Sequence, residues 1–161
     1  MNIFFIDRSV KICARYHVDR HVVKMILETV QLLCTAIWVV CGEDCKDLPC
    51  KPTHKNHPSA VWARANQNNW MWLKRLGIAL CEEYTFRYEK EHKLEQPLRK
   101  LVVPTLPDEE FFQPPQAMPD EYKDEDSVVA YRKYYRVGKA HLHYWKSGKP
   151  AWKKREIPFW I

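Results

Sequence analysis

His17, His21, Lys24, Glu28, Gln31 and Thr35 follow one another at steps of 4, 3, 4, 3 and 4 residues. In a helix that spacing puts all six polar side chains on one face. Large apolar residues flank the stripe on both sides (Val22, Val23, Met25, Ile26, Leu27, Val30, Leu32, Leu33), so part of it is expected in a cleft. A carboxylate held there beside a lysine and a histidine has the ingredients of proton transfer, because partial burial and charged neighbours move pKa values towards neutrality. The same spacing also describes a solvated face, with Lys24 and Glu28 as an ordinary i,i+4 pair worth a few tenths of a kcal/mol. The pattern alone leaves both readings open.

Three further groups have chemical potential. Lys55, Asn56 and His57 stand before Pro58-Ser59, where a helix can begin, and a helix N-terminus suits a backbone phosphate; Arg64 would extend that contact. A loop that only satisfies its own turn hydrogen bonds is the alternative. Residues 131–161 carry nine Lys or Arg against one acid, Glu156, a balance of 9 − 1 = +8 that leaves the rest of the chain at −2. Tyr131, Tyr134, Tyr135, Tyr144, Trp145, Trp152 and Trp160 are interleaved with them, and cations mixed with rings serve both phosphate contacts and base stacking. Arg132, Lys133, Tyr134, Tyr135, Arg136 and Lys139 are therefore expected to touch DNA, with Arg20 on the first long helix, although some of the rings must belong to the core. Cys41, Cys45 and Cys50 followed by His54 and His57 offer zinc ligands, but the spacing is not the paired CxxC of a zinc knuckle, and free thiols are the expectation. No metal or other cofactor is called for.

Helices must position these groups. Ile12, Val22, Met25, Ile26, Leu32, Leu33 and Ile37 recur at helical spacing from Val10 to Val40, predicting one or two helices that stop near Gly42. The segment before them, Asn2 to Asp7, is too short to assign between an arm and a strand. Residues 41–58 read as a loop. A second helical pattern runs from Ser59 to about His92, with Gly77 as a kink or an interruption. The six prolines of residues 97–124 predict an irregular surface segment, and Asp126-Ser127 an N-cap for a third helix reaching about Trp145.

The chain has 161 residues, 46% hydrophobic and 13% aromatic, with a formal charge of +6. That length fits one domain, residues 1–161, with one core, and the charge favours a polyanionic partner. No run of 18 apolar residues and no leader-like N-terminus is seen, so a cytoplasmic location with reduced cysteines is expected, in the host cytosol if the protein is viral. A monomer is expected, with no membrane partner.

His21-x6-Glu28, Lys55-Asn56-His57-Pro58 before a long helix, and Tyr131-Arg132-Lys133-Tyr134-Tyr135-Arg136-Val137-Gly138-Lys139-Ala140 come in an order and spacing that resemble the phage and bacterial pyrimidine-dimer DNA glycosylases, as a divergent phage-type branch. The resemblance spans most of the chain. It implies a mainly α fold, a compact three-helix bundle with the N-terminal segment inserted between the helices. It also implies a glycosylase with AP-lyase activity on double-stranded DNA carrying a damaged or modified pyrimidine: an α-amine attacks C1′, the base leaves, and the Schiff base undergoes β-elimination. By position, the assisting acid is Glu28, with His21 beside it. A terminal amine has a reference pKa near roughly 8, so more of it is nucleophilic at neutral pH than of a lysine. The family exposes a small residue after losing its methionine, whereas Asn2 is large for that processing. The nucleophile is accordingly the amine of Met1, that of Asn2, or Lys24. A base-modifying transferase on the same scaffold and a non-catalytic DNA-binding protein are the alternatives.

Overall fold

The apolar spacing between Val10 and Val40 resolves into two helices rather than one. In the computed structural model, which describes residues 1–42, 45 and 47–161, they are α1 (Val10–Tyr16) and α2 (Asp19–Cys41). The break at His17-Val18 is held from a distance: Val18 N–H donates to the Tyr135 hydroxyl at 2.8 Å, and the His17 carbonyl accepts from Arg87 at 2.9 Å. Gly42 follows α2 at φ 69°, a left-handed conformation that glycine adopts without strain.

The second helical pattern also divides, into α3 (Pro58–Ala63) and α4 (Gln67–Tyr88). Asn66 makes the division, because its side chain caps α4 by accepting from Asn69 N–H at 2.8 Å. Gly77 does not kink α4. It permits close approach instead: a Cβ there would stand 2.7 Å from Thr29 Cγ2 and 2.9 Å from Leu98 Cδ2. Short α5 (Glu95–Lys100) follows, and α6 (Ser127–Arg136) starts at the expected cap, Asp126, which accepts from Val128 N–H. α6 ends well before Trp145. A side chain at Gly138 would collide with the Tyr134 ring, and the chain turns there into a short 3-10 segment, Ala140–Leu142.

The fold is mainly α, and among the described residues no strand forms beyond an isolated bridge between Tyr144 and Pro150. α2 packs against α3 and α4, and α4 against α1 and α5. By length and composition α2 is apolar enough to cross a membrane, yet Met25, Ile26, Leu32 and Leu33 on its apolar side are buried in the core. The N-terminal segment is an arm inserted into that core. Ile3, Phe4, Phe5 and Ile6 are all buried, which a one-faced strand would not allow. Consequently residues 1 and 2 are delivered to the side of α2.

The Pro-rich segment 97–124 is irregular as expected, but it is strapped down through its backbone. Trp62 Nε1 donates to the Phe112 carbonyl, Asn66 Nδ2 to that of Glu110, and Phe112 N–H to Asn69 Oδ1. These bonds pin the segment to α3 and α4 through its main chain.

A buried ionic network locks the other end. Arg87, fully buried, binds Asp19 at 2.9 Å and Glu83 at 2.7 Å, and Arg155 reaches Glu83 from the C-terminal tail. Burial raises the Glu83 pKa, but the hydrogen bonds from Arg155 and Arg87 outweigh it and hold the carboxyl below its usual range.

Candidate active site at the N-terminal arm

Insertion of the arm brings the start of the chain to Glu28. The backbone N–H of Asn2 donates to Glu28 Oε2 at 3.0 Å, and Lys24 Nζ lies 3.3 Å from Glu28 Oε1. The Glu28 side chain is 13% exposed and that of Lys24 69%, so the carboxylate sits in a recess with the lysine at its mouth. The Asn2 side chain fixes the arm. Its Oδ1 accepts from the Tyr131 hydroxyl at 2.7 Å and from Ile3 N–H at 2.8 Å, while its Nδ2 donates to the Ala117 carbonyl. Met1 is half-buried.

His21 lies deeper. Its ring stacks on Phe4 at 4.4 Å, and its Nδ1 is 2.9 Å from the Tyr135 hydroxyl. That hydroxyl already accepts from Val18 N–H, so the arrangement satisfying every group has Tyr135 donating to Nδ1 and the proton of His21 on Nε2. Burial, then the charges of His17, Lys139 and Lys24, push its pKa down to about 2. The pKa therefore moves away from neutrality, and His21 is neutral in the folded state. His17 is likewise neutral, its pKa lowered to about 4 by burial, with Nδ1 donating to the Cys13 carbonyl at 2.7 Å.

His57 approaches the same recess. Its pKa is lowered by burial, then by the positive charges of the chain's amino terminus and His54, against the opposing pull of Glu28. Ser59 N–H donates to His57 Nδ1 at 3.1 Å, which leaves Nε2 as the ring's donor. The first turn of α3 therefore keeps its N–H groups for His57, Ser59 N–H bonding the ring and Ala60 N–H the carbonyl. α3 is a single short helix, Pro58 at its first position has no N–H, and the next N–H is taken by His57 itself. Lys55 and Asn56 are exposed, and the Arg64 guanidinium turns back onto the Lys55 carbonyl instead of extending outward.

α6 sorts the basic and aromatic segment into different roles. Tyr135 is completely buried and offers no surface to DNA, contrary to expectation, because it fills the space between α1, α2 and the tail. Arg132 is also largely structural. It bonds the Ile6 carbonyl and Asp7, both at 2.8 Å, and lies over the rings of Tyr16, Phe159 and Trp160. Lys133 bonds the Glu121 carbonyl, and Arg136 is exposed on the side that carries Trp160. Tyr134 and Lys139 turn towards the arm: Tyr134 stacks at 6.5 Å on Phe4, and Lys139 sits 5.0 Å from the Tyr134 ring centre. Arg20 is exposed on α2, its guanidinium 5.1 Å from the centre of the Trp145 ring.

The structure thus brings together Met1, Asn2, Lys24, Glu28 and His57, while His21 lies further along α2 against Phe4, on which Tyr134 also stacks with Lys139 over its ring. Sequence patterns missed Tyr131 and the Ala117 carbonyl, which orient Asn2. Among the described residues no cluster of three His, Cys, Asp or Glu side chains is arranged to hold a metal, and Cys34, buried beside Cys50, has its thiol pKa raised to about 11 by burial. No family model, curated protein or solved structure matches the chain.

Proposed function

We propose that this protein is a DNA glycosylase with AP-lyase activity, acting on a damaged or modified pyrimidine in double-stranded DNA through an N-terminal amine assisted by Glu28. The observation that carries the reading is the 3.0 Å contact between the Asn2 nitrogen and Glu28 Oε2. With Met1 in place that nitrogen is a peptide amide and the free amine lies one residue further out. With Met1 removed, the same nitrogen becomes an α-amine held against a carboxylate. Either terminal amine lies on the Glu28 side of the arm.

The chemistry is balanced by these groups. The amine's lone pair forms a bond to C1′, the glycosidic bond breaks with its electrons going to the departing base, and the amine's surplus proton is taken up by Glu28. Glu28 passes that proton to O4′ as the C1′–O4′ bond breaks, which opens the sugar to an iminium and leaves a carboxylate beside it to stabilise the cation. The same carboxylate takes the C2′ proton, the electrons of that bond expel the 3′ phosphate, and water hydrolyses the adduct to release the amine. Neutral His21 and His57 donate hydrogen bonds without adding positive charge, while Lys24 and Lys139 face the DNA phosphates.

Duplexes carrying a single abasic site, incubated with protein in its Met1-retained and Met1-removed forms, test the lyase half. Strand incision by either form, and its loss on N-terminal acetylation, is expected. Tight binding without incision by either form would favour the non-catalytic DNA-binding alternative.

A further inference from the structure

The C-terminal tail builds a second feature beside α2 that the catalytic reading does not use. Asp19, Tyr88, Trp145, Lys149, Trp152 and Lys153 are among the residues lining an open hollow of about 630 Å³. Its floor is rigid. Asp19 is buried, accepts from Arg87, from Trp145 Nε1 at 3.2 Å and from Lys153 N–H at 2.9 Å, and so ties the tail to α2 and α4. Its rim is cationic and aromatic. Lys149 and Lys153 are exposed, Lys153 Nζ stands 5.2 Å from the Tyr88 ring centre, and the Arg20 guanidinium is stacked over Trp145. The Asp19 carboxylate is consumed by its internal partners, so the hollow presents cations outward.

Arg20, Lys24 and Glu28 follow one another along α2 at i, i+4 and i+8. At 1.5 Å per residue, Arg20 therefore stands about 12 Å from Glu28 along the helix. A DNA strand advances about 3.4 Å per nucleotide, so that separation corresponds to three or four nucleotides. An ordered guanidinium suits bidentate phosphate binding, and stacking on an indole holds it in one plane.

We infer that the Trp145 hollow receives the phosphodiester backbone of the strand flanking the nucleotide held at Glu28, about three to four nucleotides away. This rests on the proposed DNA-directed function. Lys149 and Lys153 contact phosphates, and Trp145 positions Arg20 to contact a third.

The test is the affinity of the full-length protein for duplexes with one abasic site, shortened in turn on either side to two base pairs. Shortening is expected to weaken binding on one side only. Relative to wild type, the Lys149→Ala/Lys153→Ala variant should lose about tenfold more affinity for the long duplex at 50 mM salt than at 200 mM, because its slope of log affinity against log salt should be shallower by about 1.8, the value for two phosphate contacts. On the duplex shortened on the sensitive side, variant and wild type should be equal. The Lys149→Arg/Lys153→Arg variant should restore the slope. An unchanged slope, or an equal loss on long and shortened duplexes, overturns the inference while leaving the active-site reading intact. Failure of the wild-type protein to bind the abasic duplex at all overturns both.

Discussion

The main-chain nitrogen of Asn2 and the carboxylate of Glu28, 26 residues apart, meet at 3.0 Å in a recess formed by the inserted arm. Everything proposed for the chemistry follows from that contact, because it places the chain's start beside a half-buried acid.

Glu28→Gln should keep the hydrogen bond from Asn2 while removing the proton acceptor. DNA affinity is expected to stay within a few-fold, and incision of abasic DNA to fall by at least about a hundredfold, the usual scale for a proton-transfer group. Anisotropy and single-turnover incision on the same preparation separate the two effects. Unchanged incision would remove Glu28 from the mechanism.

Lys139→Ala and Arg132→Ala should behave differently, although both residues lie in the basic segment. Lys139 is held over Tyr134, so its loss should lower the salt dependence of DNA binding by about one phosphate contact and leave the melting temperature unchanged. Arg132 bonds the Ile6 carbonyl and Asp7, so its loss should cost about 1–3 kcal/mol of stability in a denaturant titration. Equal effects of the two substitutions on stability would contradict this division.

Arg87→Met removes a buried cation that binds Asp19, Glu83 and two main-chain carbonyls. The carboxylates left behind should make the loss about 3–5 kcal/mol, measured by chemical denaturation. A variant as stable as wild type would show that the network contributes nothing net.

Stability should decline as pH falls below 6.5. His17 and His21 are neutral in the folded state, with pKa values lowered from 6.5 to about 4 and about 2, whereas in the unfolded chain they take up protons near 6.5. Between pH 6.5 and 5 the unfolded state thus binds more protons, and the stability present above 6.5 is lost by up to ~1.4 kcal/mol per pH unit for each histidine. Unfolding free energies measured at pH 7.5 and 5.5 check this, and equal values would contradict it.

The helical class and most of the polar stripe were legible because both are local, but His17 falls off the stripe, in the extended break between α1 and α2. Steps of three and four residues fix a helix face, and they placed Lys24 and Glu28 together correctly. Asn66, the cap that divides α3 from α4, is also local, but it is masked by a polar run, Asn66-Gln67-Asn68-Asn69, in which all three asparagines suit a cap. The fates of Arg132 and Tyr135 were not legible. Their helix gives both residues the same basic and aromatic surroundings in sequence, and only packing against the arm and the tail turns one into a buried ring and the other into a clamp. The orientation of Asn2 by Tyr131 and Ala117 spans more than a hundred residues, and no local pattern encodes it.

The most direct test of the central claim is borohydride trapping on abasic-site DNA followed by mass spectrometry of the digested adduct. Only a Schiff base is reduced to a stable covalent link, and the position of the link names the nucleophile. The account predicts DNA attached to the N-terminal residue, Met1 or, after processing, Asn2, with trapping abolished by N-terminal acetylation. Attachment to Lys24, or no adduct from protein that binds the abasic duplex tightly, would contradict it.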